Sequence, residues 1–463
     1  MPPSAVSDAT RVVVISDLHL GGDAPYMMSR PDRLATFLRA LADGAGHETD
    51  EQLELVIAGD FVDFLAIAPR AAWTPDHRAA AAKLRGTMNA GPCKPVFDAL
   101  ERFVARGHRL TLLVGNHDPE MVLPAVQEAL FARIGGGPHR VHIVNDGRAY
   151  RVGRVLIEHG DRFDEANWLD WDGLRAIASA ASRWEAAPAN LAVSAGSTIV
   201  EKVVNPIKFG GPQERRGYAF IDLLQPQGEV LAFLLLTFEP ALKWQWGNLS
   251  RVLRGRRYQA ANPDGVQPAE RRHVAARAVP ARDPDLARLF PEEYRQLESA
   301  RKEVALTDLP WFTPQKDGLA ATFERGERLS ASRLEQIRAV LLKLLLDDAS
   351  VKWDGDAQQY GNAARRYLND AGGEVETVVM GHTHLPRRHG PADRASYINT
   401  GSWADVIRIP NEVLEPGNGA ALEQLLIDLW NDEVRTFAPV HASLRIDGDG
   451  HVREARLQET VIP

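Results

Sequence analysis

Arg11-Val12-Val13-Val14-Ile15, followed at once by Ser16-Asp17-Leu18-His19, decides how the rest of the chain is read. Four β-branched residues in a row make a short buried strand. Working outward, Arg33 to Ala42 carries Leu34, Phe37, Leu38 and Leu41 at helical spacing. Leu53 to Ala58 is a second apolar run, and Val96 to Ala105 a second helix candidate. Arg109 to Val114 reads as a third strand and Glu120 to Ile134 as a third helix. Val141 to Val144 and Arg154 to Glu158 complete the region. Strands and helices alternating at this spacing predict a layered α/β fold.

The texture changes after Asp161. From Arg162 to about Ala357 the segments are mainly helix-like or irregular, and seven of the ten tryptophans fall there. Proline interrupts repeatedly between Pro263 and Pro314. Ser330 to Ala349 reads as a helix with Ser330 or Ser332 as its cap. The first texture then returns with a helix over Asp356 to Ala371, stopped by Gly372-Gly373, and a strand over Val375 to Met380. Ser396 to Asn399, Ala404 to Ile409 and His441 to Ile446 are further strand candidates. The expected organisation is one α/β domain in two parts, 1–161 and 358–463, split by a mainly helical insertion at 162–357.

Composition narrows the function. The chain has 463 residues, too many for one ordinary domain, with 44% hydrophobic and 25% charged residues. That excludes a disordered tail, a collagen and a small disulfide scaffold. A single cysteine, Cys93, permits no internal disulfide and fits a reducing compartment. The first eight residues have neither a basic nor an apolar region, so no signal peptide and a cytoplasmic location are expected. The longest purely apolar run, Val230 to Leu236, is far too short to span a bilayer. A net charge of −8 argues against a protein that coats nucleic acid.

Five short motifs carry the chemistry, each directly after a predicted strand. They are Asp17-Leu18-His19, Gly59-Asp60-Phe61-Val62-Asp63, Gly115-Asn116-His117-Asp118, His159-Gly160-Asp161 and Gly381-His382-Thr383-His384. Ligands gather at the carboxyl edge of α/β sheets because the loops converge there. If strand geometry persists, Asp17 and His19 point the same way, as do His382 and His384. Carboxylate, imidazole and amide oxygen together suit Mn²⁺, Fe²⁺ or Zn²⁺. No thiolate takes part, which argues against structural zinc. Two carboxylates, four imidazoles and one amide suffice for two metals if one carboxylate bridges. Such a pair can hold a bridging hydroxide and clamp both sides of a displacement at phosphorus. Taken singly, each motif could be a polar turn or a helix cap. Their order, and five of only 14 histidines falling inside them, favour a metal site.

The set resembles the calcineurin-like metallophosphoesterase superfamily over residues 11–161 and about 358–410. Tyr397-Ile398-Asn399-Thr400-Gly401-Ser402-Trp403 also looks like the strand and turn that follow the last motif there. The resemblance implies a four-layer α/β/β/α sandwich and two divalent transition metals, manganese first, with iron and zinc as alternatives. It implies that Asp17, His19 and His384 bind one metal, that Asn116, His159 and His382 bind the other, and that Asp60 bridges them. His117 would face the scissile phosphate, contacting substrate together with Asn116, and Asp118 would orient His117. Asp63 and Asp161 would support the ligands rather than bind metal.

Asp17-Leu18-His19-Leu20-Gly21 and the segment Ala371 to His384 look most like the bacterial UDP-2,3-diacylglucosamine hydrolase branch, which cleaves a pyrophosphate in a lipid-linked sugar nucleotide. That branch commonly has arginine where this chain has His117, and its insertion is much shorter. In the insertion, apolar Tyr218 to Leu224 and Val230 to Phe238 precede Trp244, Trp246 and the arginines at 251, 254, 256 and 257. This order suits contact with a lipid headgroup or a membrane surface. It equally suits the insertion's own core with a basic rim, or a protein interface. Arg254, Arg256 and Arg257 are candidates for binding substrate phosphate, with a solvated face as the alternative. The reading is a dinuclear phosphohydrolase acting on a small, nucleotide or lipid-linked phosphoester or pyrophosphate. A metal-dependent nuclease and a scaffold without turnover are the alternatives.

Overall fold

The computed structural model describes residues 10–44, 53–164, 167–185, 191–209, 224–225, 322–323, 325–335, 337–338, 359–408, 410–431 and 433–460. The first sheet contains parallel strands β1 (Thr10–Ile15), β2 (Leu53–Ala58), β3 (Arg109–Leu113) and β4 (Val141–Val144). The second contains β5 (Tyr150–Val152), β6 (Val155–Ile157), β8 (Thr377–Met380), β9 (Pro386–His389) and β10 (Tyr397–Thr400). Its centre, β6-β8-β10, is parallel, and β5 and β9 close the edges antiparallel. Two-residue strands β7 (Leu224–Gln225) and β11 (Ile407–Arg408) pair apart. From the C-terminal part, β12 (Val440–Ile446) and β13 (Val452–Glu459) extend the first sheet beyond β1, giving the order β13-β12-β1-β2-β3-β4.

Alternation along β1 shows why its buried part, Val12 to Ile15, is apolar throughout. Val13 and Ile15 face a helical layer, while Val12 and Val14 face the second sheet. The helical layer comprises α1 (Pro31–Ala42), α2 (His77–Asn89), α3 (Lys94–Ala105) and α4 (Pro124–Ile134), followed by the one-turn α5 (Gly137–Arg140). Leu34, Leu38, Phe97, Leu100, Phe103 and Leu130 bury its inner face. Between the sheets Val12, Val14, Val56 and Ala58 meet Val155, Ile157, Val379 and Ile398. The far face of the second sheet, through Leu156, Val378 and Met380, packs on Tyr360, Ala363 and Ala364 of the helix Gln359–Asp370. The result is the expected four-layer α/β/β/α sandwich. Each fully buried large aliphatic or aromatic side chain contributes roughly 1.5–3 kcal/mol, which is how short strands are held.

Some elements differ from the sequence reading. The helix expected over Glu120 to Ile134 is divided into a 3₁₀ turn, Pro119–Val122, and α4. Leu123 between them is extended, because Pro124 disfavours helical backbone in the residue before it. Helix α2 was not expected; Asp76 caps it by accepting from the N–H groups of Arg78 and Ala79. Strand β13 and the helix Gly419–Trp430 were also not expected.

Within 162–357, α6 (Trp171–Ser182) sends Leu174 and Ile177 into the same cluster as the first sheet's helical layer. A continuous helical run follows: α7 (Ala195–Ile199), a π-helical turn (Val200–Val204) and α8 (Asn205–Phe209). Asn205 Nδ2 donates to the carbonyl of Leu65, tying this run to the loop after β2. Ser330 Oγ accepts from Arg333 N, as expected of a cap. The described part of the helix predicted over Ser330 to Ala349 ends at residue 338. Residues 218–223 and 230–238, Trp244, Trp246 and the arginine cluster lie outside the described residues. Gln359–Asp370 is hereafter α9 and Gly419–Trp430 is α10. Among the described residues no helix is long and apolar enough to cross a membrane.

Candidate metal centre

Strands β1, β2 and β3 are parallel in the first sheet and β6 and β8 in the second, and the five motifs that follow them meet at one edge of the sandwich. The loops do not continue strand geometry. Strand β1 ends at Ile15 and β8 at Met380, and the paired donors beyond them adopt left-handed backbone instead. Asp17, His19, Asp60, His382 and His384 have φ between 46° and 68°. Among the described residues only Trp184 shares this conformation without being glycine. So the expectation that Asp17 and His19 converge holds, but through left-handed turns rather than strand alternation. Such backbone costs on the order of 1–3 kcal/mol per residue and persists only where the surroundings impose it.

The surroundings do impose it. The Asp17 carbonyl accepts from the N–H groups of Trp403 and Ala404 and from Ser402 Oγ. Trp403 is fully buried, and its indole N–H donates to the carbonyl of Val440. Thr400 Oγ1 and Ser16 Oγ lie 2.7 Å apart, and Asn399 Nδ2 donates to the carbonyl of Gly381. The segment Asn399 to Trp403 therefore locks the first and fifth motifs together. Two motif glycines serve close approach. A Cβ on Gly59 would overlap the His159 ring, and one on Gly115 the Asp60 carboxylate.

All seven expected donors meet. His384 Nε2 lies 3.2 Å from Asp17 Oδ1 and 3.0 Å from His19 Nε2. Asp60 Oδ2 lies 3.7 Å from His19 Nε2 and 3.3 Å from His159 Nε2. His159 Nε2 is 3.1 Å from Asn116 Oδ1 and 3.3 Å from His382 Nδ1. Three groups of convergent donors result: Asp17 with His19 and His384, His19 with Asp60 and His117, and Asp60 with His159 and His382. Asp60 thus belongs to groups on both sides of the centre. Nearly every donor is buried, and His117 is the most open, its side chain 17% exposed.

The charge balance follows from this crowding. Burial alone would raise the Asp60 carboxyl, but the imidazoles of His159, His117 and His19 hold it well below the usual carboxylate range. Burial opposes the charged form of His159, yet Asp60 and Asp17 raise it well above an ordinary imidazole. His117 is likewise carried against burial, by Asp63 and Asp60, up to about 9. For His384 burial prevails over Asp17, and the group is lowered. Buried oxygen and imidazole donors that otherwise attract protons to one point are the set a divalent cation would take over. The residues present therefore fit a pair of such ions.

Asp118 does not orient His117. Its carboxylate accepts from the backbone N–H groups of Phe61, at 2.7 Å, and Gly115, at 2.6 Å, pinning the second and third motif loops together. The imidazole of His117 instead meets Asp63, with Nδ1 3.2 Å from Oδ1. The family resemblance pointed to Asp118, whereas the fold delivers Asp63 from another loop. Asp63 also lies 3.8 Å from His19 Nδ1. Asp161 is buried at the start of a 3₁₀ turn, its carboxyl raised by burial against the pull of His159 and His382. Three residues further on, Asp164 Oδ2 reaches His382 Nε2 at 3.1 Å, a contact the sequence reading missed. Arg254, Arg256 and Arg257 lie outside the described residues.

Comparison with known proteins gives three findings. Residues 10–196 match the model of the calcineurin-like phosphoesterase family. No curated protein matches the sequence. Two solved structures resemble the chain at 11% identity: a cold-active protein tyrosine phosphatase, TM-score 0.24, covering 98% of this chain and 80% of that one, and the cold-active protein-tyrosine phosphatase of a psychrophilic Shewanella species, TM-score 0.25, covering 98% and 83%. So slight a likeness assigns neither fold nor activity.

Proposed function

We propose, from the match of residues 10–196 to the calcineurin-like phosphoesterase family and the convergent donors, that the chain is a phosphoester hydrolase cleaving a small, nucleotide or lipid-linked phosphoester or pyrophosphate at a dinuclear centre. The family generally uses two divalent metals. In this reading Asp17, His19 and His384 hold one, Asn116, His159 and His382 the other, and Asp60 both. The observation that carries it is the Asp60 carboxylate, common to donor groups on the two sides of the site. Bound there, two ions would polarise the phosphoryl group and lower the pKa of a water.

The chain's own residues do the rest. Asp63 holds Nδ1 of His117, which leaves Nε2 as the nitrogen that faces substrate. Asp63 and Asp60 favour the protonated form of His117 against burial. It can stabilise charge on the phosphoryl oxygens or give its proton to the leaving oxygen. Asn116, beside it, contacts the same phosphoryl group. Asp118 acts on this chemistry only by fixing the loops. The motif texture supports a pyrophosphate in a lipid-linked nucleotide, and the apolar, aromatic and basic order of 218–257 supports a lipid-facing insertion at 162–357 with peripheral membrane contact.

The test is turnover. Metal-stripped protein reloaded with Mn²⁺, Fe²⁺ or Zn²⁺ is assayed against an aryl monoester, an aryl diester, a nucleoside diphosphate sugar and its acylated form. Hydrolysis that requires metal and prefers the acylated pyrophosphate is expected. Inertness across the panel with every metal would overturn the proposal. Salt-dependent binding and cleavage of DNA in the same assay would replace it with the nuclease reading.

A further inference from the structure

We propose that Asp164 is a positioning residue for His382 and, through it, for the second metal position. This rests on reading the site as a dinuclear centre. It adds a residue that none of the five motifs contains.

His382 has two ring nitrogens and uses them in opposite directions. Nδ1 faces inward, 3.3 Å from His159 Nε2, and joins the donor group of Asp60 and His159. Nε2 faces outward, 3.1 Å from Asp164 Oδ2. A carboxylate on the outer nitrogen accepts its N–H and so keeps the proton there, leaving the inner lone pair free for a cation. The same logic governs His159, whose outward Nδ1 lies 2.8 Å from the carbonyl of Ala58 while Nε2 faces the site. Both imidazoles assigned to the second metal are thus fixed from behind, one by main chain and one by Asp164.

Asp164 is itself held. Its N–H donates to the carbonyl of Asp161 at 2.9 Å, and its carbonyl accepts from Asn167 N at 3.1 Å. Asn167 Nδ2 donates to the same carboxylate oxygen that meets His382, at 2.7 Å. One short turn therefore supplies both a donor, His159, and the acid that aims its neighbour. The turn opens on Gly160, whose φ is 113°. The ring of Tyr360 from α9 lies beside that of His382, centroids 6.3 Å apart. The side chain of Asp164 is 31% exposed against 7% for His382. The carboxylate therefore sits at the rim, where substitution need not disturb the core.

The experiment compares full-length wild type with Asp164→Ala, Asp164→Asn and Asp164→Glu. Mn²⁺ binding is followed by equilibrium dialysis with elemental analysis, and the coupled ion pair by electron paramagnetic resonance. Wild type should bind two ions. Asp164→Ala should bind the first ion as wild type does and the second about 10–100-fold more weakly, with the coupled signal returning only at excess Mn²⁺. Asp164→Asn, which keeps an acceptor without the charge, should fall between, and Asp164→Glu should recover part of the loss. If Asp164→Ala does not fold, the near-isosteric Asn variant carries the test, with a weakened second ion expected. Wild-type affinity for both ions in the folded variants, or equal weakening of both, would overturn the inference. A wild type that binds fewer than two ions would overturn the dinuclear reading itself, and this inference with it.

Discussion

Val12 to Ile15 and Asp17 to His19 lie end to end on one piece of chain, are almost equally buried, and do opposite things. The strand body is apolar on both faces, and its burial drives folding. The strand end buries carboxylates and imidazoles, which costs free energy unless each is paired. The same contrast holds where β2 gives way to Asp60 and β8 to His382 and His384. Stability is generated between the layers and consumed along one edge, where left-handed backbone and clustered charge are held in place by Asn399 to Trp403. Histidine makes the point within one residue type. Burial pushes His441, beside β13, down to about 4, while His117, buried among carboxylates, is pushed up to about 9.

That contrast can be broken or sharpened by substitution. The largest effect is expected from Asp60→Asn. Turnover at saturating Mn²⁺ should fall to background while circular dichroism reports a folded chain. A variant that retains wild-type turnover would remove Asp60 from the centre. Next, His117→Asn should lower kcat by about 10²–10⁴-fold with both ions still bound, the range lost with a positioned acid. An unchanged kcat would leave His117 without a role in the reaction.

Within the strand-and-helix body, Phe103→Ala on α3 should behave in the reverse way. Phe103 is fully buried in the helical layer, so the cavity should cost about 3–5 kcal/mol in urea unfolding, with turnover per folded molecule unchanged. Lost activity at full folding would mean that body and edge are not separable. The smallest effect concerns pH. His441 titrates near 6.5 when unfolded and about 4 when folded, so between those values the unfolded chain binds more protons. Stability should be full above pH 6.5 and decline as pH falls toward 4, by at most roughly 3 kcal/mol. His441→Gln should flatten that acid limb of the unfolding profile. An unchanged limb would assign the loss to other groups.

How much could be read in advance follows from which signals are local. Strands β1, β2, β3 and β8 are predominantly apolar because both faces are covered, and such runs stand out. The five motifs were visible together, because their order after such runs and the concentration of histidine in them set them apart from single polar turns or caps. Helix α2 was missed because Ala79 to Ala82 gives little contrast between faces, and its cap at Asp76 went unread. In β13 the buried Val452 and Ala455 stand three residues apart, where the pairing with β12 shifts register, so no two-residue alternation was there to be read. The role expected of Asp118 came from the family resemblance. Its carboxylate instead serves backbone N–H groups, which no side-chain motif encodes.

Sequence alone placed carboxylate, amide and imidazole groups directly after apolar runs, and their order together with the family resemblance pointed to one metal site. Tertiary structure decided which nitrogen faces the centre and which acid stands behind it. Asp63 rather than Asp118 meets His117, and Asp164 meets His382. Those choices depend on left-handed turns and on loops from distant strands closing within about 3 Å. The energy that selects them comes from packing across the whole sandwich, which no short stretch of sequence contains.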